Sequence, residues 1–310
     1  MFSGCTSLTT IPSNLLPATT LRAYCYQYMF YGCSSLTTVP SNLLPATTLI
    51  GSCYKYMFSG CTGLTTVPSN LIPATTLAEY CYQYMFNGCT SLTTAPELPA
   101  TTLASYCYDH MFNNCTGLTT LPSNLLPATT LASSCYSSMF YGCTSLINTP
   151  DLPATALDSY SCESMFAYCK ALTKVPKVLY PTTVKNNSYS SMFMYCIKLT
   201  TIPVLNATTV YSFGCYNMFY GCESLVETPE GWILKAQTTN TYSFNSMFGS
   251  CSKLQKMAVS YSGTINSSHW SSFLNNVSKT GTFYYSKNQT KEKIQSIVPS
   301  GWTLVQSTVW

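Results

Sequence analysis

The sequence predicts an α/β repeat solenoid, in which short coils stack and each covers the apolar side of the next. Three observations carry this. The dipeptide Met-Phe recurs at 1, 29, 57, 85, 111, 139, 165, 192, 218 and 247. A second element, LPATT, returns in the same register at 16–20, 44–48, 98–102 and 126–130, with IPATT at 72–76 and LPATA at 152–156. Charged residues are 8% of the 310-residue chain while 46% are hydrophobic. A compact globule carries about 25% charge, so Thr, Ser, Asn and Tyr must hydrate this surface. A period of this size is a repeat architecture, because one such unit cannot bury its own apolar face.

The coils number about ten, of 26–29 residues each, and fill residues 1–257. Each opens on a segment such as LTTVP (36–40), short, β-branched and stopped by Pro, which predicts a strand of three or four residues. A corner follows. The shorter units lose two residues between their prolines, as in APELPATTL against VPSNLLPATTL, so the corner is expected to face solvent. The ATTL after the second Pro predicts another short strand. LPATT looks like a cell-wall sorting signal in isolation, and its recurrence inside coils argues against that role. Between ATTL and the next Met-Phe, Leu21, Cys25 and Met29 are spaced i, i+4, i+8, with Tyr26 and Phe30 beside them, and this predicts a short helix. Gln27, Lys55, Asp109 and Glu163 share one variable column, which is expected to face solvent.

After Met257 the repeat stops, and residues 258–310 are expected to cap the last coil. GTFYYS (281–286) predicts a strand, Thr290 the start of a short helix through Ile294 and Ile297, and WTLVQSTVW (302–310) a final strand. Met1-Phe2 falls in repeat register, so the array is expected to extend upstream, where an export signal would lie.

The stretches FYGCSSLT (30–37), FNGCTSLT (86–93) and FYGCTSL (140–146) resemble the BspA-like (Treponema/Bacteroides-type) leucine-rich repeats of bacterial surface proteins. The resemblance covers about residues 1–257. Two departures stand out: the unit is longer than usual, and Met-Phe replaces the commoner Ala-Phe. It implies a leucine-rich-repeat-like rod, exported or displayed, that adheres to or recognises something, and it implies no catalytic residues. The ending GTFYYSKNQT…VPSGWTLV is also similar, over a shorter stretch, to tails of gut-Bacteroidetes and phage repeat proteins, which makes a virion appendage the alternative to a cell-surface rod. A structural spacer or assembly subunit is the third reading.

Seventeen cysteines invite a disulfide or metal reading. Ten form a Gly-Cys column: Cys5, Cys33, Cys61, Cys89, Cys115, Cys143, Cys169, Cys196, Cys222 and Cys251. Cys25, Cys53, Cys81, Cys107 and Cys135 form a second, and Cys162 and Cys215 stand one position later. A ladder gives every rung two equivalent neighbours, and the total is odd, so buried reduced thiols are expected. Cys-x-x-Cys pairs are absent and only His110 and His269 could join the cysteines, so no zinc site is expected.

Net charge is +4, yet residues 1–169 hold two basic and six acidic side chains (−4) and residues 170–310 twelve and four (+8). The lysines are scattered, and no basic stripe for nucleic acid emerges. No run of about 18 apolar residues spans a membrane. No Ser-His-Asp set, paired carboxylate or phosphate loop is present, so neither catalysis nor a cofactor is expected. Paired threonines (9/10, 37/38, 65/66, 93/94, 119/120) are expected to ladder between coils, one of each pair outward. The candidate binding face is tyrosine: Tyr28, Tyr56 and Tyr84 before Met, and Tyr31, Tyr141 and Tyr220 after Phe. Such rows grip sugars and proteins with rigid amphipathic area, so the expected partner is a protein or glycan on a cell surface, with self-association open.

Overall fold

The computed structural model describes residues 1–229, 232, 237–238, 241–259 and 267–307. Its repeat strands are shorter than three or four residues. In the LTTVP column they shrink to single parallel bridges, Thr38 to Thr66, Asn148 to Lys174 and Glu227 to Lys256. In the ATTL column Thr48, Thr76 and Thr102 bridge in turn. Further on, β1 (Thr130–Leu131) pairs with β2 (Ala156–Leu157), both two residues long. In later coils a third ladder forms at the corner. There β3 (Val178–Leu179) pairs with β5 (Val204–Leu205), while β4 (Thr183–Val184), β6 (Thr209–Val210) and β7 (Gln237–Thr238) continue the ATTL column. Every pairing is parallel, as stacking of like coils requires.

The strands are short because the chain must bend within them. Leu36 and Val39 are buried while Thr37 and Thr38 between them are both exposed, and the pattern repeats at 64–67. Alternation would have turned one threonine inward. Instead both are displayed, and hydroxyls of the first column bond the coil before: Thr65 Oγ1 donates to the Thr37 carbonyl (3.2 Å) and Thr93 Oγ1 to that of Thr65 (3.1 Å). The corner is a Pro-Ser-Asn-Leu turn, in which the Leu43 N–H donates to the Pro40 carbonyl and Leu71 to Pro68. Ser41 and Asn42 are exposed at its tip, where the shorter units lose two residues.

The expected helix is replaced by a ribbon of overlapping turns. From 22 to 33, N–H groups of odd-numbered residues close turns within the coil: Cys25 to Arg22, Gln27 to Tyr24, Met29 to Tyr26, Tyr31 to Tyr28 and Cys33 to Phe30. Those of even-numbered residues donate to the next coil: Tyr24 to Gly51, Tyr26 to Cys53, Tyr28 to Lys55, Phe30 to Met57 and Gly32 to Ser59. Every second turn carries positive φ at its third residue, as in a type II turn; Tyr24, Tyr28 and Gly32 lie at 61°, 57° and 69°. The ribbon therefore repeats every four residues. That keeps Leu21, Cys25, Met29 and Cys33 in line, whereas an α-helix at 3.6 residues per turn drifts about 40° at each such step. A stacked ribbon also satisfies both backbone groups of each residue, half within the coil and half between coils.

Side-chain columns fill the interior. Phe2, Phe30, Phe58, Phe86 and Phe112 begin a stack that continues to Phe248, centroids 5.3–5.7 Å apart. Met57, Met85 and their successors are fully buried beside it, as are Leu36, Leu64 and Leu92. Each ring buried contributes roughly 1.5–3 kcal/mol. The thiols of the Gly-Cys column have a job the pattern did not reveal. Nine in succession, Cys33 to Cys251, donate to the carbonyl of the Phe one coil back, at 3.1–3.3 Å. All seventeen cysteines are free, with only Cys5 and Cys25, in the first coil, exposed.

Toward the C-terminus, β8 (Lys256–Val259) pairs with β9 (Gly281–Tyr285), which pairs with β10 (Trp302–Gln306). Lys256 also bridges Glu227, so these strands extend the LTTVP column by two rungs. Helix α1 (Ser267–Trp270) precedes a last stretch of turn ribbon, and α2 (Lys291–Gln295) begins after Thr290, whose side chain makes no capping bond. Residues 308–310 of the expected last strand lie outside the described residues.

Candidate functional site

The outer side of the turn ribbon carries three columns of residues in the left-handed region. One begins Tyr24, Ser52, Tyr80, Tyr106, the next Tyr28, Tyr56, Tyr84, His110, Ser138, and the third is mainly Gly (4, 32, 60, 88, 142, 221). Among the described residues, 24 non-glycine side chains lie at positive φ, which costs about 1–2 kcal/mol each relative to right-handed backbone. Gly, and after it Asn, are the cheap occupants. Tyrosine is not among them.

Structure brings three of the predicted tyrosines together. Tyr28 and Tyr56 stack at 4.7 Å, Tyr56 and Tyr84 at 4.6 Å, and Tyr84 on His110 at 4.4 Å. Tyr31 meets the edge of Tyr28 at 5.6 Å and is exposed. Tyr141 and Tyr220 belong elsewhere. Tyr141 packs on Tyr168 (5.2 Å), Tyr168 on Tyr195 (5.0 Å) and Tyr195 on Tyr220 (5.5 Å), making a second aromatic group. Tyr168 and Tyr195 stand in the glycine column at φ 61° and 56°. Gly221 must lack a side chain because its Cβ would lie 2.5 Å from the Tyr195 ring.

Tyr80 and Tyr106 stack at 4.8 Å in the first column. Between the first two columns runs the polar one expected to face solvent, and here the expectation fails. Asp109 is 4% and Gln83 7% exposed, while Gln27, Lys55 and Glu163 are half-buried. Gln83 Nε2 donates to Asp109 Oδ2 (2.7 Å), and Asp109 Oδ1 meets His110 Nδ1 at 2.7 Å. The Gln83 Oε1 is buried without a partner. Lys55, one coil earlier in that column, holds its ammonium 5.5 Å from the Tyr56 ring centre and 5.2 Å from that of Tyr80. Burial, then the charge of Asp109, pushes the Tyr84 hydroxyl up to about 12. Glu163 is raised for the same two reasons, with His110 opposing.

A separate tyrosine column faces inward. Tyr54, Tyr82, Tyr108 and Tyr136 are buried, stacked 5.7–6.2 Å apart, and none of their hydroxyls has a partner. No group of three His, Cys, Asp or Glu side chains able to hold a metal occurs among the described residues, and no described helix is long and apolar enough to cross a membrane.

Parallel one- and two-residue strands, a leucine-lined interior and a period near 27 residues define a leucine-rich repeat. The chain belongs to the BspA-type leucine-rich repeat family, whose repeat region it matches in six copies over residues 1–119 and 79–226. That family is a repeat family rather than a catalytic one. Among solved structures, the chain is similar to a leucine-rich repeat protein of Bacteroides ovatus, at 15% identity and TM-score 0.39, over 99% of this chain and 86% of that one. A leucine-rich cell surface protein of Faecalibacterium prausnitzii shares 16% identity, with TM-score 0.31 over 87% and 78% of the two chains. The pneumococcal vaccine antigen PcpA shares 15%, with TM-score 0.33 over 91% and 76%. No curated protein matches.

Proposed function

We propose that this chain is a non-catalytic recognition rod, displayed at the cell surface, that binds a protein or glycan through the face centred on Tyr28, Tyr56 and Tyr84. One observation carries the reading. Ser138, Ser164 and Ser191 occupy the same column at φ 49–55°, so the ribbon folds there without an aromatic ring. The positive φ belongs to the ribbon in every coil, so the aromatic rings at 28, 56 and 84 are not needed to form it. What they add is a stacked amphipathic strip, half-exposed and pre-ordered by its own contacts, so little entropy is lost on binding. Membership of the repeat family supports surface display. The cysteine ladder belongs to the scaffold in this reading, and residues 258–310 close the stack.

The test is a glycan and cell-surface binding screen of the rod against a variant with Tyr28, Tyr56 and Tyr84 changed to Ser. Because Ser already fills that column elsewhere, the variant should fold. Loss of binding with an unchanged melting curve supports the face, and binding that survives places recognition elsewhere on the rod.

A further inference from the structure

We infer that the cleft at the C-terminal end of the turn ribbon, between residues 272–279 and 296–301, takes an extended acidic peptide segment of a protein partner, whose backbone carbonyls add one rung to the ribbon. This site is separate from the tyrosine face and does not rest on it. Along the ribbon, alternate N–H groups close turns and the others donate to carbonyls one coil on. In its last stretch the carbonyls of Ser271, Phe273 and Asn275 accept from Ser246, Phe248 and Ser250, while the N–H groups of Phe273 and Asn275 close turns onto Trp270 and Ser272. Ser272 and Asn276 keep the left-handed φ of the columns, at 55° and 57°. The alternation aims the N–H groups of Ser272, Leu274 and Asn276 forward, and no described residue accepts from them.

The strand column explains the opening. β9 follows this ribbon in the same coil, and β10 adds one rung beyond it. The chain reaches β10 through α2 rather than through another ribbon, so the cap closes the strand side and leaves the ribbon one rung short. That step holds a cleft of about 810 Å³, with Ser272, Leu274 and Asn276 on its ribbon wall. One rung is ~4.8 Å deep, the thickness of a single peptide backbone. In the coils before it, such a donor row meets alternate carbonyls of a peptide chain, as Tyr24, Tyr26 and Tyr28 meet Gly51, Cys53 and Lys55. A glycan lacks that backbone repeat. Buried backbone donors need such partners, and an added segment supplies them. Charge then selects the segment. Lys279 lines the cleft and no carboxylate does, and residues 267–307 hold four lysines against one glutamate, net +3. Val277, Ile297 and Pro299, half-buried on the walls, offer apolar surface to the side chains between the acidic ones.

Residue-resolved hydrogen exchange of the full chain should show the Ser272, Leu274 and Asn276 amides exchanging at least about tenfold faster than those of Ser246, Phe248 and Ser250. Equal rates would mean a covered edge and overturn the inference. Fluorescence anisotropy then compares labelled acetyl-Glu-Val-Glu-Val-Glu-amide with its lysine counterpart. The acidic peptide should bind at least about fivefold tighter and slow those three amides by a similar factor. Lys279→Glu should weaken it about three- to tenfold. Lys170→Glu, the same charge change several coils away, should leave it unchanged, and both lysines are exposed, so both variants should fold. Equal binding of the two peptides, equal effects of the two substitutions, or binding that leaves the three amides fast would each overturn the inference. So would slowing by tri-galacturonate but not by the peptide, which would put an acidic glycan in the cleft. Slowing that follows protein concentration alone would put a second copy there, with the same consequence. Changing Tyr28, Tyr56 and Tyr84 to Ser should leave peptide binding intact, so failure of the cleft and failure of the tyrosine face are told apart; peptide binding lost with those tyrosines refutes the cleft.

Discussion

Raising the pH from about 8 to about 9 under reducing conditions is expected to remove most of this protein's stability, and the cause is its cysteines. Burial raises the thiols of the two ladders: Cys53, Cys61, Cys107, Cys143, Cys162 and Cys251 to about 12, and Cys81, Cys89, Cys115, Cys135, Cys169, Cys196, Cys215 and Cys222 well above the ordinary value. Cys33, next to the open first coil, is set aside, leaving fourteen. An unfolded thiol titrates near 8.5. The folded chain holds these protons more tightly than the unfolded chain, so their stabilisation is complete below about 8.5 and is lost as pH climbs toward the folded values. Each unfolded thiol gains RT ln(1 + 10^(pH − pKa)), about 0.2 kcal/mol at pH 8 and about 0.8 at pH 9. Over fourteen groups the loss grows from roughly 2 to roughly 12 kcal/mol, comparable to the whole stability of an ordinary domain. Urea midpoints by far-UV circular dichroism at pH 7, 8 and 9, with a phosphine reductant, would show it. A midpoint that stays level across that range would refute the buried, protonated ladder.

Thiol counting offers an independent check: Cys5 and Cys25 should react in the native protein and all seventeen only after denaturation, and fewer than about thirteen free thiols in the denatured chain would mean disulfides instead. Tyr82→Phe should raise stability by about 1 kcal/mol, because its buried hydroxyl has no partner. Phe244 already occupies that column, and a destabilised variant would reveal a partner such as buried water. Cys115→Ala should cost about 1–3 kcal/mol in urea denaturation, through the lost bond to the Phe86 carbonyl and the space left, and a neutral outcome would deny the thiol its bonding role.

The architecture was legible in the residues because a repeat displays its own columns. Aligning Met-Phe with Met-Phe shows which side chains stack, and Cys61 over Cys33 or Tyr56 over Tyr28 needed no coordinates. The sequence alone therefore determined the solenoid, its coil length, its indel-tolerant Pro-Ser-Asn corner and the stack of Tyr28, Tyr56 and Tyr84, but it also assigned to that face Tyr141 and Tyr220, which belong to a second aromatic group. It could not distinguish the turn ribbon from a helix. Over i, i+4, i+8 the two periods diverge by only about 80°, within the width of an apolar stripe, so Leu21, Cys25 and Met29 satisfy both. Nor does a column's composition reveal its depth. Gln83 and Asp109 vary as surface residues do, yet both are buried. Only the stacked coils brought Lys55 to the Tyr80 ring and Gln83 onto Asp109, because those neighbours lie a full coil apart along the chain and are joined by hydrogen bonds between backbones, which side-chain periodicity does not record.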